Sequence, residues 1–295
     1  MLRSSLLSLL LLTLVPALAD AQVNTERLRQ SVSAEGPFLR LDGSVGWMRG
    51  NVDYLEVSAN VATGVNRGRH HVLAHMAASY AEFGGASYLG RAFAHLRWTA
   101  EWHERVASEL FLQNQFDRIL FLKARAIGGL GARLTLLESD AFTAYAATGY
   151  MLEREVFQPS VIPEDEPHPR RTTNHRWTSY LTFTAKADEL LSFTNTIYVQ
   201  PRFDDFSDYR VAEEAALTVT HGTGLSISLG LRIRFDSRPP TALERLDVSI
   251  FTTLGFYLQK TPKKTEETPS TTAPADEPDT SPTDEVAEEE GPQAD

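Results

Sequence analysis

Residues 225–236, LSISLGLRIRFD, place a large apolar side chain at every odd position and a small or charged one at every even position. Leu225, Ile227, Leu229, Leu231, Ile233 and Phe235 form one set; Ser226, Ser228, Gly230, Arg232, Arg234 and Asp236 form the other. A β-strand sends successive side chains to opposite faces, so this stretch is a two-faced strand. It is long compared with a typical soluble strand of about 5–6 residues. It is long enough to cross a bilayer, for which about 9–11 tilted residues suffice. Such a strand is either a stave of a membrane barrel, apolar side to lipid and charges to the lumen, or a sandwich or lipocalin strand on a protein core.

The alternation recurs along the chain. It is read at 38–48, 52–65, 70–83, 91–101, 106–116, 120–135, 141–153, 176–187, 191–200, 209–220, 225–236 and 246–258. That makes twelve strands and no helix in the body of the chain, and an even number is the rule for bacterial barrels.

The connections separate the two alternatives. Counted from the N-terminus, the even ones are short: 66–69, 102–105, 136–140, 188–190 and 221–224. The odd ones include the long ones: 84–90, 154–175, 201–208 and 237–245. Short turns at one end and long loops at the other are the layout of an outer-membrane barrel with both termini in the periplasm; a sandwich gives no reason for such parity. Charges fall mainly on one parity within the strands: Arg40, Asp42, Glu56, Arg97, Glu101, Lys123, Arg125, Arg133, Lys186, Arg232 and Arg234. In a barrel they face the lumen, where opposite signs can pair. Trp47, Trp98, Tyr150, Trp177 and Phe235 lie near strand ends, where aromatic girdles form. The predicted fold is all-β: an antiparallel up-and-down transmembrane β-barrel of about twelve strands. Arg232, Arg234 and Asp236 are expected in the lumen near its outer mouth.

The ends are read as separate segments. Residues 1–21 carry one basic residue, an apolar run and a small-residue ALADA end, the pattern of a secretory signal peptide cleaved after Ala19 or Ala21. Residues 22–36 are a lead-in and 37–258 the barrel. Residues 259–295 hold eleven acidic residues and three lysines, a net of 3 − 11 = −8 out of the chain's −11. So polar a segment buries too little apolar surface to offset the entropy of ordering, and it is read as a disordered acidic Pro/Thr-rich tail. The chain has no Cys. This excludes a lipoprotein anchor, a disulfide framework and a Cys-based metal site. The remaining charge gives no reason to expect a nucleic-acid partner.

A search for reactive groups returns none. A lipid hydrolase needs a Ser beside a His, yet no His has Ser two residues on; His175 and Ser179 share a face but lie too far apart along a strand to bond. His71 and His75 share a face about 13 Å apart at roughly 3.3 Å per residue, too far for one metal ion. Together with His70 they are expected to be polar residues at a lumen mouth. Glu164, Asp165 and Glu166 read as a solvated loop. His221 to Gly224 reads as a turn and not a phosphate loop, because no helix follows. No catalytic, cofactor-binding or metal residue is expected.

Three stretches resemble one family: residues 114–152, with a D-R pair, a strand ending G-x-G and a strand with G-Y; residues 203–210, FDDFSDYR; and residues 232–258, with RFDSRPP and LDVSIFTTLGFYL. The chain is thereby identified as a member of the DUF481 family, named for salt-induced outer-membrane proteins, over most of residues 39–258. The resemblance implies an outer-membrane β-barrel of a Gram-negative bacterium with no catalytic motif. It also implies an aromatic at the end of the last strand for the barrel-assembly machinery; here Leu258 occupies that place and the tail follows. The expected function is a structural or envelope/osmotic-stress role, the stress part resting on the family name. The alternatives are a small channel or transporter for ions or small solutes and, less favoured, an outer-membrane lipid-modifying hydrolase. The expected partners are outer-membrane lipid, the assembly machinery and a periplasmic partner of the tail.

Overall fold

The computed structural model describes residues 35–48, 54–83, 86–118, 120–158, 168–222, 224–240 and 243–259. The predicted signal peptide, the lead-in up to residue 34 and the tail from residue 260 lie outside them. Twelve strands follow in order: β1 (Gly36–Met48), β2 (Tyr54–Arg67), β3 (His70–Phe83), β4 (Ala86–His103), β5 (Val106–Asp117), β6 (Leu122–Glu138), β7 (Phe142–Phe157), β8 (Arg171–Lys186), β9 (Leu191–Pro201), β10 (Tyr209–Thr220), β11 (Leu225–Asp236) and β12 (Leu246–Gln259). Each pairs antiparallel with its sequence neighbours, and β1 closes the ring on β12. The closing ladder runs from Phe38↔Gln259 to Gly43↔Leu254.

Burial is inverted relative to a soluble protein. Ile227, Leu229, Ile250 and Leu254 on the outer face are 42–55 % exposed. Arg40, Arg125, Arg176, Glu153 and Asp117 on the inner face are at most 6 % exposed. In water this arrangement would waste the apolar surface and desolvate the charges. In a bilayer the apolar face meets lipid and the closed ladder satisfies the backbone, which is why this sequence closes into a membrane-spanning barrel instead of packing as a sandwich. The predicted strand 225–236 keeps its bounds and its two faces.

Aromatic side chains cap the outer face near the long-loop end. Tyr209 packs tilted against Phe235 at 5.6 Å, Tyr150 stacks on Phe203 at 6.1 Å and Trp177 meets Phe206 edge-on at 6.4 Å. Trp98 stacks on His70 toward the short-turn end, at 5.8 Å. Inside, Phe251 covers Gly230 so closely that a Cβ there would lie 2.2 Å from the ring, and Phe111 covers Gly129 likewise. The Arg232 guanidinium lies over the Phe251 ring, 4.7 Å from its centroid. Glycine thus gives the lumen room for an aromatic that shields the bare strand.

Three predicted boundaries move by four or five residues. β4 begins at Ala86 and not at 91, β7 continues to Phe157, and β8 begins at Arg171, so the longest connection is 158–170 and not 154–175. The charges and prolines around residue 154 suggested a loop. The strands run on because Glu153 and Glu155 face inward, where arginines match them, and the ladder needs no apolar residue to continue beyond the lipid.

Candidate functional site

The chemistry of this barrel is in its lumen, and its densest part is toward the long-loop end. Glu153 of β7 is fully buried. Arg125 of β6 donates Nε–H to its Oε1 at 2.6 Å, Arg176 of β8 donates Nε–H to Oε2 at 2.8 Å, and Arg210 of β10 donates from Nη1 to Oε1 at 2.6 Å. Arg210 also reaches Glu155 at 3.1 Å and Asp236 of β11 at 2.8 Å. Arg176 continues outward to Asp208 at 3.0 Å and to the Gln200 carbonyl at 3.1 Å. One connected network therefore spans the lumen from β6 to β11. A carboxylate out of contact with water is tolerable only because three guanidinium groups occupy its lone pairs.

Deeper down, Glu109 of β5 accepts a hydrogen bond from Tyr180 of β8 at 2.9 Å, and Arg97 and Arg133 lie 3.8 and 3.5 Å from it. β5 and β8 are not neighbours, so this bridge crosses the lumen. Tyr180 packs on Tyr198 at 5.2 Å. Inward apolar residues, Phe93, Ile127 and Met151 among them, fill further space. Sequence parity placed most of the named charges correctly, Lys123 being the exception, but took the lumenal set to be small or charged.

Toward the short turns the chemistry changes to hydroxyls. Thr182 and Thr196 meet at 2.6 Å, Thr184 and Thr194 at 2.9 Å, Thr218 and Ser228 at 2.9 Å. Below them opens a vestibule of about 720 Å³ lined by Arg40, Lys186, Asp188, Thr220, Ser226 and Tyr257, among others. Separate from it, in the body of the lumen, is a chamber of about 180 Å³ bounded by Asp42, Glu56, Ser79, Phe93, Glu214 and Phe251 with their neighbours.

The charged positions predicted from parity sort as follows. Arg40 pairs with Asp42 at 2.8 Å, Arg91 with Glu56 at 3.4 Å, Arg232 with Glu214 at 2.7 Å, and Arg133 with Glu101 at 3.6 Å. Arg234 is buried; Lys123 is exposed at a β-bulge of β6. Arg232, Arg234 and Asp236 are inside, with Asp236 nearest the long loops, as expected. Glu155, Asp208, Arg210 and Glu214 were not singled out from the sequence. Extending the β7 parity by one pair would have found Glu155, and the even parity of β10 marks Arg210 and Glu214.

The histidines depart from expectation. Only His71 is at a lumen mouth, 3.2 Å from Glu101. His75 is 2 % exposed, well inside, against Phe93 at 5.4 Å; His70 is on the outer face with Trp98. The β3 register sends alternate residues to opposite faces, so three nearby histidines go to three environments. Among the described residues no cluster of His, Asp and Glu could hold a metal ion. His175 Nδ1 meets Tyr150 Oη at 2.5 Å and Ser179 meets Thr148 at 3.2 Å, so each has a partner other than the other. A charged group also lies on the outer face: the Asn195 amide donates to Glu213 at 2.8 Å between β9 and β10.

In the loop after β9, Arg202 grips Asp204 at 2.5 and 2.9 Å and Asp208 at 2.9 Å. The Arg202 hydrogen bonds hold the Asp204 carboxyl down to about 2 and, chiefly through Asp204, raise the guanidinium above its ordinary value. Asp205 is lowered by the Ser207 hydroxyl.

A family model described as a protein of unknown function, DUF481, matches residues 44–257. No curated protein is significantly similar to the chain in sequence. Among solved structures, the NanC porin is 5 % identical over 76 % of this chain and 99 % of that one, with a TM-score of 0.45. An outer-membrane channel from Pseudomonas putida F1 is 7 % identical over 77 % and 96 %, at 0.46. The translocator domain of the autotransporter NalP from Neisseria meningitidis is 9 % identical over 80 % and 92 %, at 0.40.

Proposed function

The chain belongs to the DUF481 family, and we propose that it is an outer-membrane barrel of a Gram-negative bacterium with a structural role in the envelope, closed to free diffusion and without catalysis. The observation that carries this reading is Glu153, fully buried in the lumen toward the long loops and held by arginines from three other strands. An open pore keeps water at its charged lining; here the charges bond to one another across the space a solute would need. The apolar outer face supplies the affinity for lipid, and the signal-like residues 1–21 supply export. A role in salt or osmotic stress rests on the family name. The tail, with its net charge of −8 over residues 259–295, is available to a basic periplasmic partner.

A second reading is favoured by the vestibule and the inner chamber, which together make an interrupted polar path: a gated route for small solutes. Reconstitution of the purified protein into planar bilayers decides. The structural reading expects no steady conductance from the wild type, and a stable ohmic current would replace it with the channel. Location is checked separately. The unboiled protein in the outer-membrane fraction should migrate faster on a denaturing gel than the boiled one, whereas release by osmotic shock without detergent would overturn the assignment.

A further inference from the structure

We propose that the 180 Å³ chamber is a binding site for one small, neutral, hydroxyl-rich solute. The chamber is bordered by Asp42, Glu56 and Glu214, and each carboxylate already has its own arginine: Arg40, Arg91 and Arg232, at 2.8, 3.4 and 2.7 Å. An ion entering would add an unmatched charge to a desolvated space, a cost of several kcal/mol on the order given for buried ions. A neutral ligand adds none.

The uncharged lining then selects hydroxyls. Ser79 lines the chamber and is 6 % exposed; its Oγ, buried in the wall, has no hydrogen-bond partner in the protein. The β3–β4 ladder shifts register between Ser79 and Tyr80, where Gly90 of β4 is the unpaired residue, so the ladder is locally disrupted at this point of the wall. A buried hydroxyl without a partner costs about 1–3 kcal/mol, which a ligand group able to donate or accept would recover. Ser249 and Thr253 of β12 face it from another part of the wall, each at most 9 % exposed. Hydroxyls bond to hydroxyls in either direction, so a ligand carrying several of them fits this lining whatever its orientation. The rings of Phe93 and Phe251 give the ligand's C–H surface an apolar wall. The volume equals that of about six waters at roughly 30 Å³ each, room for a polyol of roughly four or five carbons.

The Arg40–Asp42 pair separates the chamber, which Asp42 lines, from the vestibule, which Arg40 and Ser226 line. It rests against Gly255, where a Cβ would lie 2.3 Å from the Asp42 carboxylate. The solute reaches the chamber when that pair swings aside. This inference concerns binding and holds whether or not the barrel conducts.

The test is calorimetric titration of the full chain, folded in detergent micelles, with erythritol and, in parallel, with its carboxylate analogue erythronate. Erythritol is expected to bind saturably, one per barrel, and erythronate not to bind. Ser79→Val removes the hydroxyl and fills the space; it should weaken erythritol about tenfold, the worth of one hydrogen bond at the upper end of its usual range, with heat-modifiability retained. Ser249→Val makes the same test should the first variant not fold. Absent or non-saturable heat with erythritol, equal binding of erythronate, or unchanged affinity in a folded variant each overturns the proposal, and leaves a chamber filled with water.

Discussion

Toward the long loops, Arg125, Arg176 and Arg210 converge on one carboxylate, Glu153. Toward the short turns, β8 to β11 face the same lumen through hydroxyl pairs, Thr182 with Thr196, Thr184 with Thr194 and Thr218 with Ser228. Both regions face a lumen that lipid cannot enter, but their failure modes differ. The ionic region is a network, in which each member is tolerable only while the others are present. The hydroxyl region is a set of separate rungs, each a neutral pair that can be lost without stranding a charge. The network concentrates its energy on a few residues; the rungs spread theirs.

The sharpest way to break this contrast is Glu153→Ala. It leaves three arginines facing one another out of water, and a loss of about 3–5 kcal/mol is expected for removing one partner of a buried ionic group. Urea unfolding followed by tryptophan fluorescence in lipid vesicles measures it, and a variant as stable as the wild type would show that the network is not what closes this end. A smaller effect, about 1 kcal/mol, is expected for Thr196→Val, which deletes one rung. Thr196 is opposite Glu214, four residues along β10 from Thr218, so Thr196→Val and Thr218→Val should add to within about 0.5 kcal/mol. Glu153→Ala and Arg176→Ala, by contrast, should fall well short of their sum. Additivity in both regions would erase the distinction.

The smallest effect is confined to the loop at residues 202–208. The Asp204 carboxyl is lowered from 3.8 to about 2 by Arg202. A lowered carboxylate contributes in the folded state above the ordinary value and loses that contribution as pH falls through the lowered one. The Arg202–Asp204 contact should therefore hold at neutral pH and loosen only as pH falls from about 4 towards 2. Nicking of this loop by pepsin across that interval, against an Asp204→Asn control nicked equally throughout, reads it out. Loss of protection well above pH 4 would show that the contact does not order the loop.

How far these features are legible in the chain follows from what alternation can carry. In β11 every odd residue from Leu225 to Phe235 is apolar, so strand, faces and register direction are explicit. The parity of connection lengths gave the topology, because a closed up-and-down ring has only one way to alternate its turns. Partners within the lumen are a different matter. Nothing near Glu153 in sequence points to Arg210, because their meeting depends on the stagger between staves three apart. Phe93, Phe111 and Phe251 face inward although large and aromatic, since glycines and gaps across the wall leave room that no single strand shows. Ser79 is an ordinary serine in its own strand; only the bulge beside it and the absence of a partner set it apart.

The ladder joining β1 to β12 spans Phe38–Gly43 and stops at Gly43↔Leu254, whereas β1 and β2 are laced from Gly36 to Met48. A hoop parts at its clasp. Under heat, denaturant or mechanical pull this junction is where the cylinder should first come undone into a curved sheet, and the last place it should fasten during insertion. The first residues of β1 and the last of β12 pair there, Phe38 with Gln259, so in a chain trimmed to the barrel a short linker could join these two strands and the chain could be cut anew at the 187–190 turn. Such a rearranged chain would keep every stave in place and convert the clasp into an ordinary hairpin, a cylinder with its weakest join moved to the other side.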